Sequence, residues 1–210
     1  MFEGQTLRVT LLVVVLTGAG CGLTRDRIVV GYTPMPGVQR LPGADAIGVS
    51  VQAVDARANK QDVGRKRWED QPKYDFGGSI SAQEDLAAVI GQAIRFELSC
   101  RGFRQADGSV IVVAELNKFY NEFKGFPEKA VAEVIVNVQV RKPDGRIVFA
   151  KTVTGLGTQS LIVVGANFSG VIRSGSNAKV ALEGALSDAM SKLLNQADFI
   201  SALFQAGGAK

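Results

Sequence analysis

The sequence predicts an α+β domain, a two-layer sandwich in which a mainly antiparallel sheet of four to five strands carries two helices packed on one face. Three observations predict it. Apolar residues alternate strictly in several stretches, apolar residues recur at helical spacing in two others, and the order runs strand, helix, three strands, helix.

The first strand begins after Ala46, where Ile47, Val49, Val51 and Ala53 alternate with Gly48, Ser50 and Gln52, so one row faces a core. A polar segment from Asn59 to Ser79 follows. Its Gly and Pro content reads as a long loop with room for an edge strand. Ser81 and Glu84 have the spacing of a capping box, which starts a helix carrying Leu86, Val89, Ile90, Ala93, Ile94 and Phe96. Gly102 ends that helix as a left-handed cap. Cys100 falls on the same apolar stripe and reads as an inert core thiol.

Three strands come next: Ser109 to Tyr120, Ala130 to Arg141, and Arg146 to about Gly157. The middle one is two-faced, with Val134, Val136, Val138 and Val140 alternating with polar or charged residues. Lys142, Pro143, Asp144 and Gly145 supply turn chemistry and make an antiparallel hairpin. Gly155 and Gly157 read as a bulge, and Ser160 to Phe168 either prolongs this strand or forms a fifth. Ser176 or Asn177 caps a second helix with Leu182, Leu186, Ala189, Met190 and Leu193 on one face, and Asp198 to Phe204 can add a terminal turn. A helical crossover between the first two strands makes them parallel if adjacent. The domain is expected over residues 46–205, with 206–210 as a disordered tail.

Composition narrows function by exclusion. The chain has 210 residues, 46% hydrophobic and 21% charged, with no His, two Cys and a net charge of +4. That suffices for one packed domain. Without imidazole there is no Ser-His-Asp or Cys-His nucleophile pair and no His-ligated zinc, so a non-enzyme without metal or cofactor is expected. The charge is too small and too scattered for a dedicated nucleic-acid binder.

The N-terminus is the most informative stretch. Arg8 precedes an apolar run, Leu11 to Leu16, that ends in Gly18, Ala19 and Gly20 before Cys21. This is the pattern of a secretory signal over residues 1–20, too short to span a bilayer. Thr17 to Cys21 resembles a bacterial lipobox, although Gly18 stands where a Leu-like residue is usual. The resemblance implies cleavage before Cys21 and acylation of its sulfur, and three acyl chains hold effectively permanently. Ordinary signal cleavage, giving a free periplasmic protein, is the alternative. Gly22 after the cysteine resembles an outer-membrane address. Residues 21–45, with Pro34, Pro36 and Pro42 and little periodicity, read as lipidated Cys21 plus a flexible tether of at most ~80 Å, or ~30 Å as a coil. Ile28, Val29 and Val30 are β-branched enough for a short edge strand.

The lipobox-like start, Val54 to Arg57 after the first strand, Cys100 to Phe103 at the helix end, and the closing Leu193, Leu194 and Asp198 to Leu203 together resemble the YajG family of bacterial lipoproteins. The resemblance implies an envelope lipoprotein, and no reaction.

Other motifs carry weak chemistry. Ser176 and Lys179 spell the S-x-x-K spacing of penicillin-recognising enzymes, but the companion motifs are absent and helix capping explains them. Asp55 and Arg57 sit two apart on one strand face, placed to pair. Arg65, Lys66, Arg67 and Trp68 form the best contact loop, an aromatic among cations able to engage a glycan, a headgroup or an acidic surface. The expected function is therefore a non-catalytic, lipid-anchored outer-membrane protein facing the periplasm, holding an envelope protein partner or stabilising an assembly. The alternative is a module binding peptidoglycan or anionic lipid through the Arg65 to Trp68 loop.

Overall fold

The computed structural model describes residues 25–68, 78–106, 110–124, 129–161 and 174–208, and for Arg67 and Trp68 the backbone alone. Its strands are β1 (Asp26–Ile28), β2 (Gly48–Asp55), β3 (Asp62–Trp68), β4 (Ser79–Ala82), β5 (Arg104–Gln105), β6 (Val110–Lys124), β7 (Lys129–Arg141) and β8 (Ile147–Ser160). The helices are α1 (Leu86–Cys100), α2 (Gly175–Leu194) and α3 (Ala197–Gly207).

The expected sheet of four to five mainly antiparallel strands is thus too small and too simple. Eight strands form one mixed sheet: β6–β7, β7–β8 and β3–β4 are antiparallel, whereas β2–β6, β2–β5, β3–β6 and β1–β4 are parallel. Among the described residues three α-helices are present, not two. The extra strands are short and mostly lack an apolar alternation, so they carry no periodic signal. They pair because neighbouring strands offer free backbone donors and acceptors. The α+β class and the parallel relation across the first crossover helix are as the sequence predicts.

β6 explains how one long strand serves two halves of the sheet. Val110, Val112, Ala114 and Leu116 are buried at even positions, then Phe119, Asn121 and Phe123 at odd ones. The register with β7 shifts between Leu116 and Lys118, so a bulge restores the inward face that a period of two would otherwise lose. β2 pairs with the first half and β3 with the second. On the same inward face, α2 lies across β7 and β8, α1 across β2, and α3 against the β7–β8 side.

Gly155 and Gly157 are not a bulge. Both sit in regular register opposite Val134 and Ala132. A Cβ on Gly157 would stand 2.0 Å from the Ala181 carbonyl oxygen, and one on Gly155 the same distance from that of Ala185. These glycines, facing Ala181, Ala185 and Ala189, let α2 rest on β8 at backbone distance. α2 also covers the edge of β8: Asp188 accepts the Leu156 N–H at 2.8 Å, and Lys192 donates to the Thr154 carbonyl at 3.1 Å. An edge blunted in this way offers fewer free groups to another strand.

Both helix starts differ from expectation. Ser81 lies in β4, and α1 is capped by Asp85, which accepts the Ala87 N–H. α2 is capped by Ser174, which accepts the Asn177 N–H, so Ser176 lies inside the helix. In α1 the buried stripe is Leu86, Ile90, Ala93, Ile94, Glu97 and Leu98, while Phe96 is exposed and Cys100 half-exposed. The tail expected from residue 206 is in part helix, since α3 runs to Gly207 and Ala206 is buried. Most of the expected extra strand at 160–168 lies outside the described residues.

The largest departure concerns the segment read as a tether. From Asp26 it is a strap fixed to the domain: Ile28, Val30 and Ala44 are buried, and so is Ile47 where it enters β2. Proline and glycine remove periodicity without preventing docking, because the strap is held mainly by polar bonds made far along the chain.

Candidate functional site

Three carboxylates hold the strap. Glu84 accepts the Val30 N–H at 3.0 Å, and Glu183 accepts the Gly31 N–H at 2.8 Å. Glu97, fully buried on α1, accepts from the Tyr32 hydroxyl and the Met35 N–H, both at 2.8 Å, and pairs with Arg101 at 2.9 Å. Arg101 donates onward to Asn195 after α2. Burial first, and then the bond to Glu97, push the Tyr32 phenol well above its ordinary range, so it stays a donor. A buried glutamate with three partners is satisfied, and its arrangement is that of a clamp.

A second buried pair joins Asp55 and Arg57. The guanidinium meets both carboxylate oxygens at 2.9 and 2.8 Å and also donates to the carbonyls of Lys60, Asp62 and Phe119. Burial alone would raise the Asp55 pKa. The side-chain and backbone bonds from Arg57, with its charge, outweigh burial and hold it below the ordinary 3.8. The pairing expected from the spacing is present, and it closes the loop between β2 and β3.

Arg65, Lys66, Arg67 and Trp68 lie on β3 and not in a loop. Lys66 meets Asp26 at 2.7 Å, its side chain only 9% exposed, and Asp26 also accepts the Gly175 N–H at the start of α2. Arg65 approaches Asp62 at 3.7 Å. The two cations described here serve the fold. Cys21 lies outside the described residues. Lys179 pairs with Glu183 at 3.5 Å, so a Ser176–Lys179 centre finds its lysine beside a carboxylate. Among the described residues no group of three or more Cys, Asp or Glu is placed to hold a metal ion, and no helix is long and apolar enough to cross a membrane.

The feature missed from sequence is a polar basin of about 650 Å³ where β1, β2 and β4 end and α1 begins. Arg25, Arg27 and Lys60 line it with Asp55, Glu84 and Asp85. These carboxylates already accept bonds, from Arg57, Val30 and Ala87 respectively. Among the described residues Arg25 reaches only the Gln61 amide, at 3.2 Å. The cations are scattered between positions 25 and 60, which is why no local run announced them.

Among the described residues, the features that carry chemistry are therefore buried ionic clamps and a basin lined by cations and carboxylates. The chain belongs to a family described as uncharacterized lipoprotein, whose model matches residues 34–203. No curated protein matches it. Among solved structures it is similar to protein XCC0632 from Xanthomonas campestris, of family DUF330, at 13% identity and a TM-score of 0.54, covering 85% of this chain and 96% of that one. It is also similar to a minor lipoprotein from Acinetobacter baumannii at 10% identity and a TM-score of 0.43, covering 74% and 93%. The first likeness speaks to the fold alone.

Proposed function

We propose that this lipoprotein is anchored through acyl groups on Cys21 and acts without catalysis in the bacterial envelope, facing the periplasm from the outer membrane and holding a protein partner. The YajG-like start and helix ends fit that reading. Its carrying observation is Cys21 itself, preceded by Gly18, Ala19 and Gly20, just upstream of a domain in a lipoprotein family. Non-catalytic action fits the buried charges: Glu97, Arg101, Asp55 and Arg57 are all engaged with one another or with backbone. Such satisfied networks fix a conformation, which suits a structural part for these four residues.

Intact-mass measurement of the mature chain is expected to show a diacylglyceryl-modified Cys21 at the N-terminus. Cys21→Ser is expected to stop processing and remove the protein from the outer-membrane fraction; a variant that is processed and fractionates as before would mean that Cys21 is not the anchor. Crosslinked envelopes are expected to yield a protein partner that is absent when the same pull-down uses the mislocalised variant.

A further inference from the structure

The strap changes where the domain stands. Arg25 is four residues from Cys21, and four extended residues reach at most ~14 Å. The tether of twenty-odd residues is gone, because the chain is fixed from Asp26 by its pairing with β4 and by bonds to Lys66 and Gly175. A domain joined this closely to acyl chains cannot turn every face toward the leaflet. The face next to the attachment carries β1, and beside β1 lies the basin.

The basin has the right chemistry for that position. Arg25, Arg27 and Lys60 are exposed and form no ion pair with a carboxylate among the described residues, although the Lys60 charge acts on Asp55. Glu84 accepts a backbone N–H of the strap, Asp85 one of α1, and Asp55 is matched by Arg57. The lining holds three cations and three carboxylates, and the Asp55 charge is taken up by Arg57, which lies outside the lining. We propose that this basin receives the phosphodiester of a phospholipid headgroup from the leaflet that holds the anchor, so that the domain is seated on the membrane at its β1 edge. The proposal rests on acylation at Cys21. Guanidinium groups match phosphate oxygens in a planar fork, and among the described residues Arg25 and Arg27 form no ion pair that would compete for them. Carboxylates on the same wall suit the ammonium of an ethanolamine headgroup beside that phosphate.

The test uses the mature chain as the cell makes it, in vesicles of phosphatidylethanolamine and phosphatidylglycerol. In a Cys100→Ser background, a fluorophore is placed at Gln83→Cys on the basin wall or at Asp144→Cys in the β7–β8 turn, with a quencher carried on lipid headgroups. The expected result is strong quenching at position 83, weak quenching at 144, and loss of the difference when Arg25, Arg27 and Lys60 are all changed to Ala. Equal quenching at both positions, or a difference that survives the triple change, overturns the seating. Failure of the anchor is read separately, as a mature mass without acyl groups. In that event partitioning of the soluble mature chain onto the same vesicles decides the basin: the triple change is expected to weaken it about a hundredfold, at the usual worth of a basic residue near an anionic surface. No change would reject the basin outright.

Discussion

The β7–β8 hairpin and the N-terminal strap are both essential to one core, and they are held by opposite means. In the hairpin, Val134, Val136, Val138 and Val140 are buried in a row, and Pro143–Asp144–Gly145 closes the turn with Gly145 at φ 87°. Every buried valine there contributes about 1.5–3 kcal/mol through a pattern repeated at each second residue. In the strap, only Ile28, Val30, Ala44 and Ile47 are buried among Pro, Gly and polar residues, and Glu84, Glu97 and Glu183 supply the rest. Repetition along the chain holds one region, and single distant side chains hold the other.

The hairpin side should therefore break on shape and the strap on charge. Gly157→Val drives a side chain into the Ala181 carbonyl and the Ala185 N–H, at 2.0 and 2.5 Å, and the helix backbone has no rotamer with which to yield. A loss above about 4 kcal/mol is expected, read as failure to fold cooperatively on heating. Gly31 in the strap is the counterpart. A Cβ there meets only the Glu183 carboxylate at 3.5 Å, so Gly31→Ala is expected to change the melting temperature little.

Second in size is Glu97→Ala. It orphans the Tyr32 hydroxyl and the Met35 N–H and leaves Arg101 buried without its countercharge. The expected cost is about 3–5 kcal/mol. Hydrogen exchange separates this from general weakening: the amides of Val30 to Leu41 should lose protection first, while those of β7 keep theirs. Simultaneous loss in both regions would mean that the strap and the hairpin are one cooperative unit.

How much of each region was legible follows from the same contrast. β2, β6, β7, β8 and the face of α2 could be read because burial there repeats at period two or 3.6. The strap could not, since its acceptors stand 54, 62 and 152 residues away and leave no local mark. One trace was available. Glu97 interrupts the stripe of Leu86, Ile90 and Ile94, with Arg101 one turn later, and a charge on an apolar face requires a partner. The capping-box reading failed for a related reason: Ser81 was needed by β4, where its hydroxyl donates to the Asp26 carbonyl, and Asp85 was the better-placed acceptor. The basin stayed hidden because Arg25, Arg27 and Lys60 meet only after β1 docks beside β4.

A smaller effect is expected at the Asp55–Arg57 pair, which ties the end of β2 to the loop before β3. The Asp55 pKa in the folded protein lies below its ordinary 3.8, so the folded state favours the carboxylate. Its contribution is complete above the ordinary value and is lost as pH falls through the depressed one. Asp55→Asn should cost about 2 kcal/mol at neutral pH. The deficit should shrink as acid protonates the wild-type carboxyl, so the two unfolding curves converge toward low pH. A deficit constant across that range would show that the pair acts through geometry and not through charge.

The smallest expected effect has the opposite sign and lies between the two regions. Asn121 of β6 is fully buried between Phe119 and Phe123, opposite Ala132 of β7, and neither of its side-chain polar atoms has a hydrogen-bond partner. It is the one inward position of β6 occupied by a polar residue, next to β3, where a Cβ on Gly64 would stand only 3.3 Å from that of Asn121. Leucine has the same number and branching of side-chain heavy atoms and no polar atoms to strip of water, so where the bulkier methyl groups are accommodated Asn121→Leu is expected to stabilise the fold by about 1–2 kcal/mol. Denaturant unfolding should show the gain as a raised midpoint with an unchanged slope. A loss instead would mean that the larger leucine is overpacked beside Gly64, or that the amide is solvated by an internal water, and Asn121→Ala separates the two because it removes both the bulk and the amide.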